Sequence, residues 1–139
     1  SRIPVIVGGR GIKKTPMLAA KYATEFNMPF VNKDAFIAQC ARVREACVLV
    51  GRDSTSLKYT VAQATVCGSD AAEVERRSKK IGREVGELSM NGLCGTPTEL
   101  IAKINDWKNA GAETIYMQIL DLDDLNHLDL IGKEVLPHI

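Results

Sequence analysis

The sequence predicts an α/β chain built on a parallel sheet. Three observations carry the prediction: short apolar or β-branched runs alternate with helical segments four times over, several helix starts carry a local capping signal, and glycines mark the crossings. Strands joined through helices in this way make right-handed crossovers and lie parallel. Two architectures satisfy the pattern, a small open doubly wound sheet and part of a (β/α) barrel. A full barrel takes roughly 250 residues, whereas the 139 residues here read as one domain over 1–139.

The elements follow in order. Residues 3–7, Ile-Pro-Val-Ile-Val, read as a strand buried on both faces. Thr15 and Pro16 supply an N-cap and a first-turn proline for a short helix with Met17, Leu18 and Tyr22 on one side. Residues 25–28 form a second short strand. Asn32 caps a longer helix with Phe36, Ile37, Cys40, Val43 and Cys47 at helical spacing, closed near Gly51. The run from Lys58 to Val66 is rich in β-branched residues and flanked by turn signals, so it is a strand. Asp70 and Glu73 open a charged helix, and 82–95 is glycine-punctuated and irregular. Thr96 and Glu99 form a capping box with Pro97 in the first turn, and the helix they start ends at Gly111. Residues 114–122 are the best strand of the chain. A last helix over about 124–135 places Leu125, Leu128, Ile131 and Val135 on one face, and Pro137 stops it.

Composition limits the function classes. The chain is 45% hydrophobic and 25% charged, with a net charge of +1, so no basic stripe favours nucleic acid or an anionic membrane. Its apolar runs fall short of the roughly 18 residues a membrane span needs, and no signal peptide opens it. Cys40, Cys47, Cys67 and Cys94 include no CxxC pair, and His127 and His138 are the only histidines. This pattern argues against zinc and against a disulfide framework, and points to reduced, buried thiols in a cytoplasmic protein. Ser1 reads as a cloning remnant or an internal start.

The first strand breaks into Gly8, Gly9, Arg10 and Gly11. Glycine lets backbone N–H groups approach a ligand closely, and the following helix start adds about half a positive charge. Arg10, Lys13 and Lys14 add cations, so the turn suits a phosphate or a phosphate-bearing cofactor tail. Neither the Walker pattern nor the G-x-G-x-x-G dinucleotide fingerprint is present, and the glycines equally suit a plain tight turn.

The stretches "PVIVGGRGIKKTPMLAAKYATEFNMPF", "CARVREACVLVGRDSTSLKYTVAQATVCGSDAAEVERR" and "GLCGTPTELIAKINDWKNAGAETIYMQILDLDDLNHLDLIGKEVLP" together resemble the carboxy-terminal half of the luciferase-like monooxygenase family. The branch they most resemble is that of oxidoreductases using the deazaflavin coenzyme F-420. The resemblance implies a TIM (β/α)8 barrel of which this chain supplies strands five to eight. It places the glycine loop at the barrel's carboxyl face, where active sites of such barrels lie. It further implies cofactor binding by Gly8, Gly9, Arg10 and Gly11, with Asn27 and Met28 on the substrate side. Gln63 and Gln118 then point into the barrel or outwards. F-420 is the expected cofactor and FMN the alternative. The first four strands of such a barrel lie outside this chain, and no residue in it stands out as acid, base or nucleophile, so the chain alone is expected to be inactive. A second reading is a non-catalytic half-barrel that binds a phosphate-bearing ligand and pairs into a homodimer to cover its apolar inner face.

Two further stretches invite functional readings. "DLDDLNHLDL" carries Asp121, Asp123, Asp124, His127 and Asp129 but lacks the register of a calcium loop. Asp123 or Asp124 is expected to cap the last helix instead. Asp121, at the carboxyl end of its strand, is the better functional candidate of the stretch, with closing the strand tip as the alternative. "EVERRSKK" reads as a solvated face with Glu73–Arg77 and Glu75–Lys79 pairs. Trp107 reads as packing beside Ile104.

Overall fold

The computed structural model describes residues 3–139, so Ser1 lies outside the described residues. The described residues form two compact units, the first from residues 3–62 and 110–116, the second from 63–109 and 117–139.

In the first unit, β1 (Ile6–Gly8) leads through α1 (Lys14–Tyr22) to β2 (Glu25–Pro29), and α2 (Lys33–Leu49) leads on to β3 (Lys58–Cys67), whose first half belongs here. β1 lies parallel to β2, with Gly8 opposite Asn27, and β2 parallel to β3, with Asn27 opposite Thr60. The start of β5 (Thr114–Gln118) joins β3. α2 forms because a real N-cap starts it, Asn32 Oδ1 accepting from the Ala35 N–H at 2.9 Å, and Phe36, Cys40, Val43 and Cys47 recur on one buried face. After α2, Arg52 turns back and donates to the carbonyls of Ala20 and Ala23 at 3.1 and 2.7 Å, satisfying the C-terminus of α1. Phe26, Met28, Leu57, Tyr59 and Val61 complete the buried side.

Three expectations for this unit need correction. The opening strand is not buried on both faces: it covers only Ile6–Gly8, and Ile3 is 81% exposed. β1 is an edge whose strand partner among the described residues is β2 alone. α1 begins one residue before Thr15, after Lys13, and no side chain caps it. Thr15 sits beside the glycine loop instead. The side of α1 carrying Leu18 and Tyr22 is exposed, while Pro16, Ala19 and Ala20 are buried. The small residues let α1 pack close to α2.

In the second unit, the rest of β3 is followed by α3 (Ala71–Lys80), α4 (Val85–Asn91), β4 (Leu93–Gly95), α5 (Pro97–Asn109) and, past β5, α6 (Leu125–Glu134). β4 runs parallel to β3, with Val66 opposite Cys94. Ala64, Val66, Val74, Leu88 and Cys94 form the core, and Leu100, Ile104 and Trp107 bury the inner side of α5. Asp70 caps α3 through the Glu73 N–H at 2.8 Å, Glu99 accepts from the Thr96 N–H at 2.7 Å, and Asp124 caps α6 through the His127 N–H at 3.0 Å.

Here too the sequence reading changes. Residues 82–95 are not irregular, since they hold α4 and β4. β5 is shorter than 114–122 and mostly surface-facing. Leu125 and Leu128 are exposed, while Ile131 and Val135, which follows α6, are buried as expected, with His127 beside them. All four cysteines are buried and unbridged, and burial pushes the Cys40 thiol up to about 12. Among the described residues, no helix is long and apolar enough to cross a membrane.

Candidate functional site

The glycine loop follows β1 directly. A Cβ on Gly8 would lie 2.9 Å from the Asn27 carbonyl oxygen, so only glycine allows β1 and β2 to approach this closely here. Gly9 has φ +135°, a conformation that side chains other than hydrogen rarely adopt. A Cβ on Gly11 would meet Thr15 Oγ1 at 2.8 Å. The loop is pinned from behind. Gln39, buried in α2, donates Nε2 to the carbonyls of Gly11 at 2.9 Å and Gly9 at 3.4 Å, and Arg42 fixes that amide by donating to Gln39 Oε1 at 2.9 Å. With those carbonyls held, the N–H groups of Arg10, Gly11 and Ile12 donate to no other described residue. Lys13 and Lys14 stand exposed beside them.

Arg10 is partly committed. Its Nη2 donates to the Phe30 carbonyl at 2.5 Å and to that of Pro29 at 3.4 Å, tying the β1 loop to the end of β2. Phe30 is the one described non-glycine residue with positive φ, at +51°, and it is 46% exposed.

Asn27 and Met28 part company because successive strand residues point to opposite faces. Met28 is 2% exposed, within the helix-side core. Asn27 faces the other way and donates Nδ2 to Thr60 Oγ1 at 3.0 Å. Thr60 in turn donates to Glu25 Oε1 at 2.7 Å, and the Tyr116 hydroxyl donates to the same oxygen at 2.8 Å. That bond to a carboxylate holds the Tyr116 phenol above its usual range. Gln63 is fully buried and Gln118 exposed.

The second unit gathers a different cluster. Arg77, expected on a solvated face, is 5% exposed. It donates Nε to Asp124 Oδ2 and Nη1 to the Cys67 carbonyl, both at 2.8 Å, and pairs with Glu73 at 3.1 Å. His127 Nε2 accepts from the Cys67 N–H at 2.8 Å, so a neutral ring carries its proton on Nδ1. Burial foremost, and the Arg77 charge after it, hold His127 below the ordinary histidine range. A cavity of about 10 Å³, room for one water, lies among Thr65, Arg77, Asp121 and His127. Every guanidinium nitrogen of Arg77 is already bonded, so the cluster binds the unit together and leaves no fork for an anion. Asp121 is not at a strand tip, since β5 ends at Gln118; it accepts from the Asp123 N–H at 3.3 Å in the turn that follows.

The sequence reading found the Glu73–Arg77 pair but missed the burial of Arg77 and its bonds to Asp124 and Cys67, as well as Gln39, Phe30 and the Glu25–Thr60–Tyr116 chain. Only Gln39 left a local signal, a polar residue inside an otherwise apolar helical stripe.

No protein-family model matches the chain, and no curated protein matches it by sequence. Solved structures do match. A coenzyme F-420-dependent tetrahydromethanopterin reductase from Methanopyrus kandleri superposes with a TM-score of 0.74 at 17% identity, over 98% of this chain and 51% of its own. An F-420-dependent secondary alcohol dehydrogenase, in complex with an F-420–acetone adduct, gives 0.78 at 16%, over 97% and 48%. The oxygenating constituent of 3,6-diketocamphane monooxygenase from Pseudomonas putida, in complex with FMN, gives 0.72 at 21%, over 98% and 49%. These structures are members of the luciferase-like monooxygenase family. At these identities the likeness is one of fold, and the chain spans about half the length of the chains it matches. Its fold corresponds to half of their TIM barrels.

Proposed function

We propose that the chain is the carboxy-terminal half of a luciferase-like, flavin- or F-420-dependent oxidoreductase, and that its part is to hold the phosphate of the cofactor. The observation that carries this reading is the loop from Gly8 to Gly11. Its carbonyls are bound from behind by Gln39, and three successive N–H groups have no acceptor among the described residues. Such a bare main-chain cradle at the carboxyl end of a strand, followed by a helix start, fits a phosphate. Arg10, Lys13 and Lys14 contribute positive charge around it. F-420 is the cofactor we favour and FMN the alternative, since solved relatives of the same fold are described with each.

When bound, the cofactor supplies the hydride or oxygen chemistry. The residues of this chain bind its tail and orient it. Asn27, fixed by Thr60, faces the substrate side, whereas Met28 supports the strand from its buried face. Among the described residues no acid, base or nucleophile gathers around the loop, so the 139-residue chain by itself is proposed to bind and not to turn over. Titration of F-420 and of FMN into the chain, followed by absorbance, tests the loop. Gly9→Val, which cannot take φ +135° without strain, is expected to weaken binding at least tenfold, roughly the worth of 1.4 kcal/mol. Binding that ignores the substitution overturns the assignment.

A second reading is favoured by the exposed β1 edge. Ile6 is 56% exposed on a strand paired on one side only, and Val5 just before it is 39% exposed; such an edge attracts a partner. A homodimer of two half-barrels would cover it.

A further inference from the structure

We infer that Phe30 is a ligand-contacting platform, an aromatic face presented beside the anion loop for the planar heteroaromatic ring of the molecule whose phosphate that loop holds. The inference rests on the loop reading above and adds to it the class of ring the site takes.

The argument begins with a misplaced side chain. Phe26 and Met28 form the buried row of β2, at 0% and 2% exposure. Phe30 is next in that row, yet its ring is 46% exposed and the smaller Val31 is buried in its stead, at 5%. The backbone makes this exchange by taking Phe30 to φ +51°, a region that bulky residues almost never occupy. A conformation of this kind persists only where the surroundings over-determine it, and such places cluster at functional sites. Here both peptide groups are held. The Phe30 N–H donates to the Ala62 carbonyl at 2.9 Å, and its carbonyl receives Nη2 of Arg10. Folding thus exposes a large apolar ring and strains the chain to do so, two costs that packing alone would avoid. The Arg10 bond also holds the Phe30 backbone within one side chain's reach of the Gly8–Gly11 loop. A ring joined to an anionic tail matches the pair, the tail on bare amides and the ring on the phenyl face. Arg10 is then a positioning residue through its hold on the Phe30 carbonyl.

Calorimetric titration of the 139-residue chain with FMN, with F-420 and with ring-free ribitol 5-phosphate tests the platform. Stacking on an aromatic face is expected to make FMN or F-420 bind about tenfold more tightly than ribitol 5-phosphate. Phe30→Leu keeps apolar bulk and should remove that advantage while leaving ribitol 5-phosphate binding as it was, which also shows that the variant folds. Phe30→Tyr should retain it. Equal affinity for ring-bearing and ring-free ligands, with both lost in Gly9→Val, overturns the platform and leaves the loop standing. Ring-dependent binding that survives Gly9→Val upholds the platform and overturns the loop. Failure of all three ligands to bind overturns both. A Phe30→Leu variant that changes only the elution volume of the protein, with binding intact, assigns the ring to a protein contact and overturns the platform.

Discussion

Arg77 and Lys79 lie two positions apart on α3 and do unlike things. Lys79 pairs with Glu75 at 2.8 Å in open solvent, where such a pair adds little. Arg77 is enclosed, and its bonds to Asp124, Glu73 and the Cys67 carbonyl link one strand to two helices of the second unit. His127 completes the arrangement by accepting from the Cys67 N–H. Its environment sets a pH dependence. Burial, then Arg77, lowers its proton affinity, while Asp124, Glu73 and Asp121 oppose them more weakly. The unfolded chain therefore takes up a proton on this ring before the folded chain does. Stability is full above the ordinary histidine range near 6.5 and is lost as pH falls through it. Asp124 is held below its ordinary value, first by its bond to Arg77, so its contribution survives until pH reaches the carboxylate range. A loss between about pH 7 and pH 5 thus belongs to His127. Urea unfolding across that interval is expected to show the midpoint falling with acid in the wild type. In His127→Gln, whose amide oxygen accepts from the same N–H without titrating, the midpoint should stay nearly level.

Helix starts show how far local chemistry reaches. Asn32, Asp70, Thr96–Glu99 and Asp124 all sit where the sequence places them, because a cap is settled by a side chain and an N–H within three residues of each other. α1 differs since Thr15 turns to the glycine loop and Lys13 brings no acceptor. Asn32→Ala is expected to destabilise the chain by about 1 kcal/mol, as measured by chemical denaturation. α4 escaped the sequence reading because seven residues between glycines carry little periodic signal. In α6 the helix and half of its buried face were legible, since Ile131 and Val135 are buried as their spacing predicts while Leu125 and Leu128 are not. His127 turns inward beside them, which its bond with the Cys67 amide decides and the apolar spacing does not.

On the scale of the whole molecule, the open question is what meets the β1 edge and the apolar residues around it. Ile6 on β1 is 56% exposed, which is unusual for a strand of a parallel sheet, and Val5 and Ile12 on either side of it are 39% and 63% exposed. If two copies cover one another there, size-exclusion chromatography with light scattering at low micromolar concentration is expected to give twice the 15.2 kDa chain mass. Ile6→Lys should then return the monomer by placing a charge on the edge. A wild-type chain that elutes as a monomer removes the homodimer reading.

The alternation of strands and helices, the parallel sense of the sheet, most caps and the glycine loop after β1 were all fixed by neighbours in sequence. Periodicity, capping and turn chemistry act over a few residues, and a reader of the sequence meets the same forces that the chain does. Three-dimensional contact alone decided that Gln39 would hold the loop from 28 residues away in sequence, that Arg77 would be enclosed, that Met28 and Asn27 would part to opposite faces, and that Arg10 would lock Phe30 outward. Those outcomes depend on which groups must find partners once water is excluded, and that is settled only when distant segments come together.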